Sequence, residues 1–145
     1  MALSVTHHQA TDDFLQAAGE FLARREAEHN LIFGICSAIR LSPEAFGTHA
    51  PRFLTVTDDA AGVVAAALQT PPNNLVVSQV DDAAAVHALA DAVVEDRPPG
   101  VLAPTEVIGP FLARWADRTG ETAHLERVTP PERPAEGSWR FATPD

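Results

Sequence analysis

Lysine is absent from this 145-residue chain, cysteine occurs once, and no glycine lies between Leu75 and Asp91. The lone Cys36 excludes an internal disulfide and a cysteine-based metal cluster. With no Lys, all ten basic residues are Arg. Together with abundant Ala and Pro, that bias reads as the codon usage of a GC-rich bacterial genome rather than as chemistry. Twenty Asp and Glu outnumber the Arg, and the formal charge of −10 speaks against nucleic acid or an anionic membrane as partner. No apolar run approaches the roughly 18 residues of a membrane span. Nor does the N-terminus show a basic stretch followed by an apolar core, so a cytoplasmic protein is expected.

The chain is long enough for one domain with a real hydrophobic core. Residues 2–6 read as a short strand. Thr11 or Asp12 is placed to cap a helix that brings Phe14, Leu15, Ala18, Phe21 and Leu22 onto one face. A second helix, about residues 27–41, gathers Leu31, Ile32, Ile35, Cys36 and Ile39. Phe53 to Thr57 alternates as a strand, Asp58 to Gly62 suits a hairpin connection, and Val63 to Leu68 returns as its partner. Leu75 to Val80 is a further strand, followed by a helix over about 82–94. After the turn Arg97-Pro98-Pro99-Gly100, Val101 to Ala103 reads as a short buried strand. Ile108, Phe111, Leu112 and Trp115 mark a helix that ends near Gly120, with Pro110 expected to kink it or delay its start. His124 to Val128 and Ser138 to Ala142 read as two last strands. Core positions expected from these patterns are Phe21, Ile35, Leu54, Val64, Val76, Leu89, Leu102 and Phe111.

The junction at residues 75–94 is the most informative stretch. A strand running into a helix is where many α/β folds hold a phosphate, using glycines and free backbone N–H groups. Here Asp81 and Asp82 stand at the helix start instead. They are good N-caps, suit the positive end of the helix dipole, and repel any anion seeking the same place.

The element order β-α-α-β-β-β-α-β-α-β-β resembles that of the GNAT superfamily of acetyl-CoA-dependent N-acetyltransferases. The local phrases at residues 21–31 (Phe-Leu-Ala-Arg-Arg-Glu-Ala-Glu-His-Asn-Leu), 70–78 and 99–104 resemble stretches of a bacterial subset. In that subset they lie in an N-terminal domain preceding a second GNAT domain. The closing Trp139-Arg140-Phe141-Ala142-Thr143-Pro144-Asp145 resembles the phrase that opens such a second domain. The resemblance implies an α/β (α+β) fold with a mixed twisted sheet and helices on both faces. It also implies a degenerate GNAT-like domain over 1–136, with 137–145 as a last strand or a linker into a C-terminal GNAT domain.

Two family features are missing. GNAT enzymes hold the pyrophosphate of acetyl-CoA on an Arg/Gln-x-x-Gly-x-Gly/Ala loop after the fourth strand, and no such phrase follows Val80. The nearest string, Arg97 to Leu102, carries two prolines and precedes the wrong strand. Many members also use a Tyr as general acid, and this chain has none. The domain alone is therefore expected to be non-catalytic and to bind no cofactor, its partner being a C-terminal GNAT domain in cis or a second copy. The alternative is an acetyltransferase with an atypical loop, in which backbone at Val77, Ser78, Gln79 and Val80 holds the pantetheine arm; a free-standing dimerisation or ligand-binding module is a third reading.

Other polar residues have bland explanations. His7 and His8 point apart on a strand and read as a polar terminus. His29 follows Glu26 and Glu28 on the expected helix, where Arg25 would repel a metal ion, so it reads as a solvated or interhelical group. His87, on an Ala-rich helix, reads as a surface or edge-of-core residue, His49 and His124 have no evident partner in sequence, and no metal site is expected. Ser78 lacks the glycine-flanked elbow of a hydrolase nucleophile and reads as a strand hydroxyl bonded to backbone. Asp58-Asp59 is explained by a turn, Cys36 by a core position, and Trp115 and Trp139 by core or interface anchoring.

Overall fold

A computed structural model describes residues 3–42, 50–71, 73–128 and 136–142, the last two strands through their backbone alone. The elements are β1 (Leu3–His8), α1 (Thr11–Ala23), a short 3₁₀ turn (Glu26–His29), α2 (Asn30–Leu41), β2 (Arg52–Asp58) and β3 (Gly62–Gln69). They continue with β4 (Leu75–Val77), α3 (Ala83–Val93), β5 (Gly100–Pro104), α4 (Thr105–Thr119), β6 (Thr122–Val128) and β7 (Glu136–Ala142). One mixed seven-stranded sheet runs β1-β2-β3-β4-β5-β7-β6. Only the central β4–β5 pair is parallel, the other neighbours being antiparallel.

The helices cover both faces, as the order of elements implies. Phe14, Ala18 and Leu22 of α1 and Ile32, Cys36 and Ile39 of α2 pack on Phe53, Ala66, Leu68 and Val76. On the other face Leu89 and Val93 of α3 and Val107, Phe111 and Trp115 of α4 pack on Leu54, Val56, Leu75 and Val101. Alternate residues of each strand serve opposite layers, which is the period-two geometry of a sheet buried on both sides. Asp91 braces the outer helices, accepting from Arg114 Nε and Nη2 at 2.8 and 3.0 Å and pairing with Arg118 at 2.9 Å. The Arg114 hydrogen bond foremost holds its carboxyl below the ordinary range, against the opposing effect of partial burial.

Several expectations are corrected. Leu54, Val76, Leu89 and Phe111 are buried, whereas Phe21, Ile35, Val64 and Leu102 are half-buried at the margins of the two layers. Val64 owes this to a bulge, since Val56 pairs with Ala65 and Thr57 with Val63. Leu31 is 42 % exposed, because within α2 it stands beside the face that Ile32, Cys36 and Ile39 bury, at the edge of the layer. The first residue of α1 is Thr11 itself, its N-cap is Ala10, and no side chain caps it. Pro110 neither delays nor shortens α4, which starts five residues earlier at Thr105. A proline costs about 3 kcal/mol in a helix, and burial of Val107, Ile108, Phe111 and Trp115 at about 1.5–3 kcal/mol each outweighs it. His7 and His8 end the ordered edge strand β1, with His8 Nε2 2.9 Å from Thr55 Oγ1.

Other expectations hold in detail. Asp58 Oδ1 accepts from the N–H groups of Ala60 and Ala61 at 2.7 and 3.2 Å, closing the hairpin that ends at Gly62 with φ +80°. Gly120 closes α4 in the left-handed conformation, φ +77°, its N–H on Ala116 O at 2.8 Å. Cys36 is a core residue, and burial pushes its thiol up to about 11, so it holds little of the thiolate that nucleophilic chemistry needs. His49, and the side chains of His124 and Trp139, lie outside the described residues.

Candidate functional site

The one parallel pair in the sheet sets the geometry of the site. Leu75 pairs with Val101 and Val76 with Leu102, after which β4 ends at Val77 while β5 continues to Pro104. The two strands part there, and the chain after β4 turns into α3. The four residues singled out in the sequence, Val77 to Val80, occupy this parting.

Ser78 and Gln79 are already engaged. Ser78 is fully buried, with its N–H on Ala66 O at 2.8 Å and its Oγ accepting the Ala66 N–H at 2.9 Å. The same hydroxyl donates to Gln79 O at 3.0 Å, so Ser78 is the strand hydroxyl expected of it. The N–H of Gln79 donates to His29 Nε2 at 3.0 Å, and His29 Nδ1 lies 2.8 Å from the carbonyl of Leu22. Because a backbone N–H only donates and a carbonyl only accepts, His29 is held with its proton on Nδ1. His29 is 2 % exposed and stacks beside Phe21. It is therefore neither solvated nor a bridge between two helices, but a buried tie between the end of α1 and the strand backbone after β4. Sequence reasoning missed this role because Leu22 is seven residues away and Gln79 fifty.

The start of α3 is closed from within. Asp82 caps it, Oδ1 accepting from Ala84 N–H at 3.0 Å, and the Asp82 carbonyl takes the N–H groups of Ala85 and Val86 at 3.0 and 3.2 Å. Replacing Asp82 with Ala should cost about 0.5–2 kcal/mol in denaturant unfolding, and Asp82→Asn should recover most of that. A loss near zero would remove the capping role. Asp81 stands exposed and meets Arg25 at 3.3 Å. Asp81 is thus partly compensated by an arginine from the end of α1, while Arg97 lies elsewhere and pairs with Glu121 at 3.3 Å.

On the α3 and α4 side, a groove of about 300 Å3 is lined by Gln79, Val80, Asp81, Ala83, Val86, Glu106 and Pro110. The Gln79 side-chain amide donates to Glu106 Oε2 at 3.0 Å. That bond first, then a backbone hydrogen bond and the field of Arg25, hold the Glu106 carboxyl below its ordinary range. On the α2 side the parting is sealed by Glu28, Leu31 and Ile32 over Val76, Val77 and Leu102, leaving about 10 Å3, room for one water at most. No group of His, Cys, Asp and Glu among the described residues could hold a metal ion. None of the helices among those residues is long and apolar enough to cross a membrane.

The fold is that of the GNAT N-acetyltransferases. An N-acetyltransferase from Staphylococcus aureus Mu50 superimposes with a TM-score of 0.51 over 99 % of this chain and 98 % of its own, at 10 % identity. A ribosomal-protein-S5-alanine acetyltransferase from Vibrio fischeri gives 0.49 over 100 % and 94 %, at 11 % identity, too low to add to that conclusion. No protein-family model and no curated protein sequence matches the chain. At such identities the likeness establishes architecture and carries no residue across.

The residues at the β4–α3 junction do not fit the phosphates of the cofactor this fold implies. A pyrophosphate needs free N–H groups at a helix start and backbone it can approach. Here Asp82 takes the N–H of Ala84 on its side chain and those of Ala85 and Val86 on its carbonyl, Ala83 and Ala84 stand where glycines would allow approach, and Asp81 adds a second negative charge.

Proposed function

We propose that this chain is a degenerate GNAT-fold domain that neither binds acetyl-CoA nor transfers acetyl groups, and that it supports a catalytic GNAT domain in the cytoplasm. The partner is a C-terminal domain of the same polypeptide or a second copy. The observation that carries the reading is the β4–α3 junction, where two carboxylates stand at a helix start without glycines, Asp82 takes the N–H groups of Ala84, Ala85 and Val86, and His29 takes that of Gln79. The α2 side of the strand parting leaves room for one water at most, and the groove on the other side carries the carboxylates of Asp81 and Glu106, which disfavour an anionic cofactor. The absence of Tyr agrees, because no phenol is present to protonate a leaving thiolate.

Calorimetry of the purified chain with acetyl-CoA tests this. No saturable heat is expected at ligand concentrations up to about 1 mM. Micromolar binding, or acetyl transfer by the isolated chain, would sink the proposal and promote an enzyme using the backbone of Val77 to Val80.

A further inference from the structure

The groove between the first turns of α3 and α4 has a floor and a rim of different chemistry. Val80 and Val86 are buried and, with Ala83 and Pro110, present aliphatic surface, while Asp81 and Glu106 stand exposed at the edge. No basic side chain is among its lining residues. Glu106 uses one carboxylate oxygen on the Gln79 amide, and a carboxylate has about four acceptor positions. Asp81 is committed to Arg25 only through a pair exposed on both sides, 43 % and 79 %, and such pairs are weak and readily exchanged.

The charge balance is negative even after the helix ends are counted. Each helix N-terminus contributes about half a positive charge, and Arg25 one more, against the carboxylates of Asp81, Asp82 and Glu106. An anion is repelled, and a neutral ligand leaves the net negative charge that remains beside Arg25 unmatched. A cation on an aliphatic stem matches floor and rim together. Arginine meets this better than lysine, because its methylenes can lie along Val80, Val86 and Pro110 while its planar fork can engage the carboxylates of Asp81 and Glu106 in several directions. At about 300 Å3 the space lies at the lower limit of ligand sites and suits one long side chain. The net charge of −10 steers a basic partner towards the chain.

We propose that this groove docks an arginine side chain carried on an extended basic segment of a partner protein. The proposal rests on the reading above that the phosphates of acetyl-CoA do not occupy the α3 N-terminus.

Amide NMR spectra of the intact chain, titrated with a blocked Gly-Gly-Arg-Gly-Gly peptide, test it. Saturable shifts should be confined to Gln79–Val86 and Thr105–Gly109. The citrulline counterpart, which keeps the shape and loses the charge, should bind about tenfold more weakly, as should the arginine peptide to Glu106→Gln. Equal binding of the citrulline peptide, shifts spread over other acidic surfaces, or no saturable shift would overturn the proposal. A parallel titration with acetyl-CoA separates the two readings. Shifts by acetyl-CoA at these amides would overturn both, whereas silence from both ligands would overturn the docking proposal alone.

Discussion

Trp115→Ala should destabilise the domain by about 4–6 kcal/mol, the largest effect expected of a single substitution here. Trp115 is 1 % exposed, its ring lies 6.2 Å from that of Phe111 at an interplanar angle of 12°, and it closes the layer between α4 and the sheet. Truncating a buried aromatic costs about 3–5 kcal/mol through lost transfer energy and the cavity left behind. The indole N–H also donates to Glu121 Oε1 at 2.9 Å, and Glu121 is only 6 % exposed. Removing that donor leaves a buried carboxylate to Arg97, which is 59 % exposed in its side chain and holds a left-handed backbone, φ +48°. Against the roughly 5–15 kcal/mol that holds a domain together, such a loss would unfold a substantial part of the population. Trp115→Phe keeps a ring and loses the donor, and should cost about 1–3 kcal/mol. Chemical denaturation of both variants separates packing from the hydrogen bond. If the Phe variant were as stable as the parent, the Glu121 contact would contribute nothing net.

The elements and the layers they form were legible because they are written in local periodicity. The helical phase of Phe14, Ala18 and Leu22, the alternation through β2, the Asp82 cap and the Gly120 stop are each decided by neighbours within a turn or two. The insertion of β7 between β5 and β6 was not legible, since an alternating strand carries no mark of which edge it joins. The premature end of β4 was hidden for a similar reason. Leu75 to Val80 is an apolar run with a hydroxyl in it, and only the buried bonds of Ser78 to Ala66 and Gln79 show where the ladder gives way to side-chain bonding.

At the candidate site the paired aspartates of the helix start were legible, and the contacts that engage their neighbourhood were hidden. Missing glycines and paired Asp residues are visible in sequence and already argue that an anion is unwelcome. Arg25 meeting Asp81, Gln79 meeting Glu106 and His29 meeting Gln79 are contacts over fifty-six, twenty-seven and fifty residues, and no local rule reaches them. Reading His29 on a continuous helix also misplaced its neighbours. The 3₁₀ turn from Glu26 to His29 replaces the start of that helix, so the helical spacings from Arg25 and Glu26 do not describe which groups face the imidazole.

His29 should therefore be worth far more to stability than a surface histidine, and it supplies the second large prediction. Its two ring nitrogens satisfy the Leu22 carbonyl and the Gln79 N–H. With a ring that is 2 % exposed, water replaces neither bond if the side chain is lost. Each stranded buried backbone group costs about 1–3 kcal/mol, so His29→Phe, which preserves ring volume and removes both partners, should lose about 2–5 kcal/mol. A midpoint drop of several degrees is expected in thermal unfolding, taking about 2–4 °C per kcal/mol for a domain near this size. His29→Gln retains one donor and one acceptor and should recover part of the loss. The Phe variant also tests the closure of the β4–α3 junction. Gln79 regains a free N–H there, yet Asp82 still occupies the helix start, so the variant should remain as indifferent to acetyl-CoA as the parent. Were His29→Phe as stable as the parent, the imidazole would not be the tie between α1 and the strand backbone. Were it to gain micromolar affinity for acetyl-CoA, His29 rather than the aspartates would be what excludes the cofactor.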